Sequence, residues 1–387
     1  NPALQINRVN ISTTTAIAAT NVTQVGGTPA SYWWFRTTTG NIDGEGFDID
    51  TGDPGSVRWD DSSYIITLSG VVYQDAGVTP MSSPTCNGAS TTVRVVVNGA
   101  GTFDGTCAAG TGAYSIPGVT FIGDPIITVF LNTNGGERGT VVTKTPTGNI
   151  TGLDIYANHV IATHEDVAPL TIANMVLYDQ DNDSDIRYTA ATGSPNTLIV
   201  SGNTGLLVAT TSTFTPGGNV TLTPGGNGTT YDATLHVDNN AFFIASGTET
   251  HSIGGRFQVD TGATFTPASS TVYFTATTTG KTLSSPGTIS FNDVLFTGIG
   301  GWDIVSNLSI LGTSTIAAGS VTGSGNISIP YGSLIGSGTL SLSGGTTTIE
   351  RSNTLGSTTP WTFYNLALGS GAIVGTTTRG DVATTTV

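Results

Sequence analysis

Four aspartates alternate with other residues near the middle of the chain, and carboxylates at this spacing are suited to holding a divalent cation. They are Asp179, Asp181, Asp183 and Asp185. Ca²⁺ takes about six to eight oxygen ligands, and a curled loop would let these carboxylates surround it. The run is not an EF-hand, because its sixth position is Ser184 instead of glycine and its twelfth is Ala190 instead of glutamate. We predict a Ca²⁺ site here, and the alternative is a solvated linker.

A second group of acids lies between residues 43 and 61. Its candidate ligands are Asp43, Glu45, Asp48, Asp50 and Asp53. Turn-forming residues at 52–55 fold the chain back on itself, which would let the carboxylates form a second oxygen cage for Ca²⁺. A solvated acidic loop explains the pattern equally well. The aromatic cluster before it, Tyr32–Phe35, fits a hydrophobic core better than a sugar-stacking platform.

The chain lacks the motifs of the common hydrolytic and nucleotide-using enzymes. His164 and Glu165 are followed by Asp166, so the H-E-x-x-H zinc motif is absent. There is no G-x-S-x-G elbow and no Gly-rich loop ending in Lys-Ser/Thr. A carboxylate pair for glycoside cleavage would be drawn from 26 acids, and nothing singles out two of them. We therefore predict no catalytic residues and no enzyme, and a structural role for His159 and His164.

Cys86 and Cys107 are the only cysteines, and they are predicted to form a disulfide. They lack C-x-x-C spacing and a neighbouring histidine, which disfavours a metal site. A loop of this size would be stabilised by about 3 kcal/mol on the chain-entropy model. A structural disulfide predicts an oxidising, extracellular compartment.

Composition and charge indicate an all-β protein. Only 10% of residues are charged, against about 25% in average proteins, and Thr, Ser and 53 glycines take their place. The formal net charge of −15 leaves no basic surface for nucleic acid or for an anionic membrane. No apolar run is long enough to span a bilayer. The chain begins at Asn1 and ends inside a repeat-like phrase, so we expect the natural protein to be processed or longer.

Residues 1–62 are predicted to contain an N-terminal strand followed by the aromatic and acidic segment. Apolar residues alternate at the start with a one-residue slip, which is typical of a strand with a bulge. They are Leu4, Ile6, Val9 and Ile11. This strand pairs either within its own domain or with the sheet of a neighbouring subunit, which is β-augmentation.

Residues 63–190 are predicted to form an immunoglobulin-like β-sandwich that ends in the acidic run as a hinge. About seven short apolar runs are separated there by Gly, Pro and Asn turns, the spacing expected of such a sandwich. Pro169–Tyr178 is the one stretch with a helical pattern, and it starts with proline, as helices often do.

Residues 191–387 repeat short phrases and predict an elongated, Thr/Gly-rich β-solenoid. The segment 319–329 matches 332–342 in spacing, thirteen residues on. Thr213-Phe-Thr-Pro216 returns as Thr264-Phe-Thr-Pro267, and the phrase at 291–295 resembles the one at 363–367. Self-similarity of this kind favours stacked coils with a continuous apolar interior. The alternative is a string of small β-sandwiches.

Several short motifs occur in a fixed order between residues 31 and 190. They are Trp33-Trp34-Phe35-Arg36, Asp43-Gly44-Glu45, Gly52-Asp53-Pro54-Gly55, Arg58-Trp59-Asp60-Asp61-Ser62, Ser69-Gly70-Val71-Val72-Tyr73, Val129-Phe130-Leu131, Val160-Ile161, His164-Glu165-Asp166 and the Asp179–Asp185 run. In these motifs the chain resembles the large, uncharacterised, repeat-containing secreted surface proteins of uncultured ultrasmall bacteria (Patescibacteria). The resemblance implies a cell-surface location and long β-rich parent proteins, and it implies no activity and no site residues.

Together these features predict a structural extracellular protein, a subunit of a cell-surface filament, sheath or adhesive fibre. It would self-assemble into a homopolymer through β-strand contacts and be stabilised by Ca²⁺. The alternative is a carbohydrate-binding or carbohydrate-cleaving β-helix protein, like a phage fibre or an adhesin, with surface glycans or a host cell surface as partner. Only two tryptophans, Trp302 and Trp361, lie in the repeats to stack on a sugar, which disfavours the alternative.

Overall fold

The computed structural model describes most of the chain beyond residue 63 and two short segments before it. The described residues are 47–49, 57–59, 64–133, 136–146, 148–224, 232–351, 354–369, 378–379 and 385–386. The chain divides into two compact units, one of residues 1–65 and 120–123 and one of residues 66–119 and 124–387. The predicted N-terminal strand lies outside the described residues.

Thirty-seven strands and a single short helix account for the secondary structure in the described ranges. Strands before the helix are β1 (Phe47–Ile49), β2 (Val57–Trp59), β3 (Tyr64–Tyr73), β4 (Val93–Val97), β5 (Gly101–Gly105), β6 (Ala113–Phe121), β7 (Ile126–Leu131), β8 (Thr140–Lys144), β9 (Ile155–Tyr156) and β10 (His159–Ala162). The helix is α1 (Ile172–Met175).

The strands after the helix are shorter, mostly three to five residues. They are β11 (Tyr188–Ala191), β12 (Asn196–Val200), β13 (Gly205–Val208), β14 (Thr213–Phe214), β15 (Gly218–Leu222), β16 (Leu235–Val237), β17 (Phe242–Ile244), β18 (Thr250–Ile253), β19 (Phe257–Val259), β20 (Thr264–Thr266), β21 (Thr271–Phe274), β22 (Lys281–Ser284), β23 (Thr288–Phe291), β24 (Asp293–Phe296), β25 (Gly301–Ile304), β26 (Asn307–Ile310), β27 (Ser314–Ile316), β28 (Ser320–Gly323), β29 (Ile327–Ile329), β30 (Leu334–Gly336), β31 (Thr339–Leu342), β32 (Thr346–Ile349), β33 (Thr354–Ser357), β34 (Trp361–Thr362), β35 (Asn365–Leu368), β36 (Thr378–Arg379) and β37 (Thr385–Thr386).

The larger unit is a β-solenoid of about ten coils, as the repeats predicted. Successive coils add parallel strands to three walls. Wall A runs through β10, β13, β16, β19, β22, β25, β28, β31, β34 and β37. Wall B runs from β12 through β15, β18, β21, β24, β27, β30, β33 and β36, and wall C consists of β14, β17 and β20 followed by β23, β26, β29, β32 and β35.

The immunoglobulin-like sandwich predicted for residues 63–190 is not confirmed. Strands β5, β4, β7 and β8 form an antiparallel sheet, and β8 then pairs in parallel with β10. Wall A therefore continues directly into this sheet, making fourteen strands in all. The remaining strands β6, β3 and β9 form a three-stranded sheet. Short apolar strands between turns are common to both architectures, so their spacing could not distinguish a sandwich from the first part of a solenoid.

Side chains along the solenoid strands alternate between the interior and the surface, and the interior ones form one apolar core. In β15, for example, Val220 and Leu222 are buried and the residues between them are partly exposed. Aromatic side chains stack from coil to coil: Phe214, Phe243 and Phe265 are in register along wall C, with ring centroids 5.6 and 5.3 Å apart. The repeated Thr-Phe-Thr-Pro phrase therefore marks two equivalent positions of one wall.

The thirteen-residue repeat does not correspond to a coil. Val321 is in register with Trp302 and Leu340, each nineteen residues away. Earlier coils are longer, since Leu206 pairs with Leu235, twenty-nine residues on. The thirteen-residue match aligns β28 with β30, strands of different walls, because both have the same Gly-Ser-apolar pattern. Gly332, within this match, packs so closely on the preceding coil that a Cβ there would overlap the Gly312 carbonyl oxygen.

Within the predicted helical stretch only Ile172–Met175 form a helix, α1, which packs against β11 and β12, and Pro169 lies before its N-cap instead of in its first turn. Thr171 caps it: its hydroxyl accepts from the Asn174 N–H, while the Asn174 side chain accepts from the Thr171 N–H, a capping box. Ile172 and Met175 are fully buried in the core that also lines the first coils. The helix therefore shields the apolar interior at this end of the stack, as capping elements do in repeat proteins.

The disulfide between Cys86 and Cys107 is confirmed, and both residues are fully buried. In the described ranges, no helix has the length and apolarity needed to cross a bilayer.

Candidate functional site

The acidic run lies between α1 and β11, and its first aspartate is buried. One oxygen of Asp179 accepts from the Asp181 N–H at 3.0 Å, and the other accepts from the Ala190 N–H at 2.8 Å. The carboxylate thus closes the loop and fastens it to β11. Its hydrogen-bonding is that of a structural turn residue.

The last two aspartates of the run connect it to the antiparallel sheet. Asp185 is buried; its Oδ2 accepts from the Thr133 N–H at 2.7 Å, and its Oδ1 lies 3.6 Å from Arg138 Nε. Asp183 accepts from the Asp185 N–H at 2.9 Å and lies 4.0 Å from Arg94 Nη1. Arginines supply the counter-charge that closely spaced carboxylates require.

The structure does not bring the four aspartates of the run together as one ligand group. Among the described residues, three potential ligands converge within 4.8 Å only at His236, Asp238 and Asp260. Of the earlier acidic group, Asp43, Glu45, Asp50 and Asp53 lie outside the described residues, and of Asp48 only the backbone is described, in β1. The Ca²⁺ sites stay predictions.

A cleft of about 250 Å³ opens on the outer surface of wall A. The segment 150–154 and β9 form one side, and outward-facing residues of β8, β10 and β13 form its floor. Three carboxylates and several hydroxyls line it. They are Asp154, Glu165, Asp238, Thr151, Thr163, Thr210 and Tyr156. This polar, acidic lining could bind a hydroxyl-rich ligand or a cation.

Burial raises the pKa of two half-buried groups of the cleft, Asp154 and Tyr156. It raises the pKa of Asp154, although the Val71 N–H donates to this carboxylate at 2.8 Å. Burial, together with the charges of Asp154 and Asp238, also raises the pKa of Tyr156 to about 12. Glu165 accepts from the Thr143 hydroxyl at 3.2 Å. A carboxyl group with a raised pKa beside other carboxylates is a feature of acid–base sites, though structural networks show it too.

Three polar side chains meet next to the cleft on two adjacent coils. His236 Nε2 lies 2.8 Å from Asp260 Oδ2, and Gln258 Nε2 lies 2.8 Å from Asp260 Oδ1. Asp238 accepts from the Thr210 hydroxyl at 2.6 Å. All are partly exposed. Hydrogen bonds to the carboxylate outweigh its desolvation and lower the pKa of Asp260.

Sequence reasoning missed this group, although a signal was present. Leu235-His-Val-Asp238 and Phe257-Gln-Val-Asp260 share an apolar-polar-Val-Asp pattern twenty-two residues apart, and their strands pair in register. His159 and His164, the histidines considered from the sequence, have backbone partners. His159 Nδ1 lies 2.8 Å from the Ala157 carbonyl oxygen, and His164 Nε2 accepts from the Thr213 N–H at 2.8 Å.

The fold and these sites define the chain as a β-solenoid protein with a capping helix, a disulfide-bonded antiparallel sheet and a small acidic cleft. No protein-family model, curated protein or solved structure matches it.

Proposed function

We propose that the chain is a structural, non-enzymatic extracellular protein, a subunit of a cell-surface filament, sheath or adhesive fibre. The observation that carries this proposal is a single hydrophobic core that extends from Val96 in the antiparallel sheet through the coils to Phe363. Stacked coils of this kind are stabilised by contacts between neighbours and form extended scaffolds. The tryptophans of the repeats, Trp302 and Trp361, belong to this core and are unavailable for sugar stacking.

An extracellular location is supported by the buried disulfide, since structural disulfides persist in oxidising compartments. The net charge of −15 is compatible with exposure to solvent at a cell surface. The proposed Ca²⁺ stabilisation depends on carboxylates of which three, Asp179, Asp183 and Asp185, already contact arginines or accept from backbone N–H groups. Removal of Ca²⁺ therefore tests that part of the proposal separately from assembly.

Self-association through strand contacts is supported by β5. Among the described residues, β5 is the outermost strand of the fourteen-stranded sheet and has a strand neighbour on one side only. An open edge presents backbone N–H and C=O groups to which a strand from a second copy can pair. The side chain of Thr102, the second residue of β5, is exposed.

Negative-stain electron microscopy and sedimentation of the purified protein, with Ca²⁺ and with a chelator, test the proposal. We expect ordered polymers that Thr102→Lys abolishes, because a charged side chain on an edge strand opposes pairing. Thr102→Ser, which keeps the backbone and adds no charge, is the matched control and should assemble like the wild type. Monodisperse protein under every condition would contradict self-assembly. Polymers that persist in the chelator would contradict the role of Ca²⁺.

The cleft supports a second candidate, a carbohydrate-binding or carbohydrate-cleaving protein. Its carboxylates and hydroxyls could hydrogen-bond sugar hydroxyls, and the raised pKa of Asp154 would suit a proton donor. Glycan-array binding and reducing-end release from polysaccharides are the measurements. If the cleft binds or cleaves a glycan, Asp154→Asn should reduce that binding or cleavage, whereas Asp303→Asn, on wall A outside the cleft, should not. Absence of binding and cleavage would leave the structural role as the one supported.

A further inference from the structure

We propose that His236, Asp238 and Asp260 form a binding site for a divalent transition-metal ion of the Zn²⁺ type. Each residue offers one ligand atom, and the three atoms lie within 4.8 Å of one another. The register of β16 with β19 pairs His236 with Gln258 and places the two aspartates at equivalent ends of adjacent strands. The coil repeat itself thus builds the group. This inference is independent of whether the chain assembles into polymers.

The ligand set favours a metal ion of intermediate softness over Ca²⁺. One imidazole nitrogen and two carboxylates suit Zn²⁺ and its neighbours in the first transition row, whereas Ca²⁺ takes oxygen ligands in larger numbers. Zinc bonds to nitrogen and oxygen are about 2.0–2.2 Å long, so tetrahedral ligand atoms are about 3.4 Å apart. The 2.8 Å between His236 Nε2 and Asp260 Oδ2 is already short enough for two ligands of one ion. Asp238 supplies the third ligand atom, within 4.8 Å of the other two.

Asp260 is the shared partner of His236 and Gln258. Gln258 Nε2 lies 2.8 Å from Asp260 Oδ1 and 3.2 Å from His236 Nε2, while that nitrogen lies 2.8 Å from Asp260 Oδ2. If His236 Nε2 carries a proton, it and the Gln258 amide each donate to one oxygen of Asp260. If it carries none, it accepts from Gln258 but sets a lone pair against a carboxylate. Rotating the amide by 180° sets its oxygen against Asp260 instead.

A cation between His236 and Asp260 would take the place of the proton that joins them. Both atoms then direct lone pairs at the ion, and the Gln258 amide donates to Asp260 alone. A ligated carboxylate with its own hydrogen-bond donor is the usual arrangement around protein metals. Asp238 also lines the acidic cleft, so the ion would lie beside it, with remaining coordination positions taken by water.

Calorimetric titration of the metal-free full chain with Zn²⁺, and visible spectroscopy with Co²⁺ as a probe, test the site. We expect saturable binding of one ion per chain and a tetrahedral or five-coordinate Co²⁺ spectrum. His236→Gln and Asp260→Asn should each weaken binding by at least about tenfold, the loss that removing even a supporting partner of a ligand commonly causes. Asp181→Asn, in the acidic run, and Ser252→Val, on wall B, are the controls and should bind like the wild type.

Circular dichroism of each metal-free variant establishes that it folds. The two ligand substitutions are separate tests, so if one variant fails to fold, the other still tests the site. Absence of saturable Zn²⁺ or Co²⁺ binding would overturn the proposal. So would Zn²⁺ binding that neither substitution weakens, since the ion would then be elsewhere. Binding of Ca²⁺ in preference to Zn²⁺ at these residues would overturn the assignment of metal class.

Discussion

The histidine at position 251 should contribute strongly to the loss of stability of the solenoid in mild acid. His251 points into the core from wall B, in register with Val220 and Val272 of the adjacent coils. Its ring meets those of Phe243 and Phe265 edge-on, with centroids 5.2 and 6.4 Å away. Within the described part of the chain, neither ring nitrogen has a hydrogen-bond partner. The side chain is therefore a polar group in an apolar stack.

The nearest charge does little to favour protonation of this ring. Glu249 Oε2 lies 3.6 Å from His251 Nε2, which is beyond hydrogen-bond distance. Both Glu249 oxygens already accept from Ser246, one from its hydroxyl at 2.5 Å and one from its N–H at 3.1 Å. Burial consequently dominates and lowers the pKa of His251 from 6.5 to about 4.

The sign of the effect follows from this direction. Between pH 6.5 and pH 4 the unfolded chain binds a proton that folded His251 excludes. Its contribution to stability is thus fully present above about pH 6.5 and declines as the pH falls toward 4. At 1.36 kcal/mol for each pH unit, the loss reaches about 3 kcal/mol. Burial also lowers the pKa of His159 to about 4, so that residue adds a similar loss over the same range.

Replacing His251 by valine, the residue at the in-register positions of both adjacent coils, isolates its contribution to the pH dependence of stability. Between about pH 7.5 and pH 4 the His251→Val variant should lose about 3 kcal/mol less unfolding free energy than the wild type, because only the contribution of His251 is removed. Denaturation followed by circular dichroism across this range gives the difference. Ser252→Val, at the next and outward-facing position of the same strand, is the matched control and should keep the wild-type dependence.

Parallel pH profiles for His251→Val and the wild type would refute the reasoning. So would an NMR titration in which the His251 ring of the folded protein protonates near pH 6.5, the value of an exposed histidine. Either result would mean that the core admits water or charge at this coil.

The aromatic interior and the coil contacts give two further predictions, both read from unfolding free energies at neutral pH. Phe274→Ala should cost about 3–5 kcal/mol, because Phe274 is fully buried among four aromatic rings. The control Phe242→Ala, at a partly exposed position, should cost under about 1 kcal/mol. Equal losses of unfolding free energy would contradict this packing. Gly332→Ala should cost about 1–3 kcal/mol through overlap with the Gly312 carbonyl, while Gly287→Ala, which meets no such contact, should be nearly neutral. A neutral Gly332→Ala would show that the coils can separate there.

Structural features that depend only on residues close in the chain could be predicted from the sequence. Alternation at positions such as Val220 and Leu222 is a property of a few adjacent residues, because successive strand side chains face opposite sides. The same holds for Thr171 and Asn174, whose spacing alone permits the capping box. The disulfide also followed from the sequence, since Cys86 and Cys107 are the only two cysteines.

Which strands meet was decided by the tertiary structure. Residues in register are twenty-nine apart at Leu206 and Leu235 but nineteen apart at Trp302 and Val321, because the turns between strands differ in length. A local pattern contains no information about these lengths, so the thirteen-residue match suggested a repeat that is not a coil. For the same reason the partners of Asp185 became visible only in the folded chain. The shared pattern at 235–238 and 257–260 hinted at a common position, but only the register of β16 with β19 showed that His236 meets Asp260. The sequence determined that this chain is a β-solenoid, and the stacking of unequal coils determined where its polar groups converge.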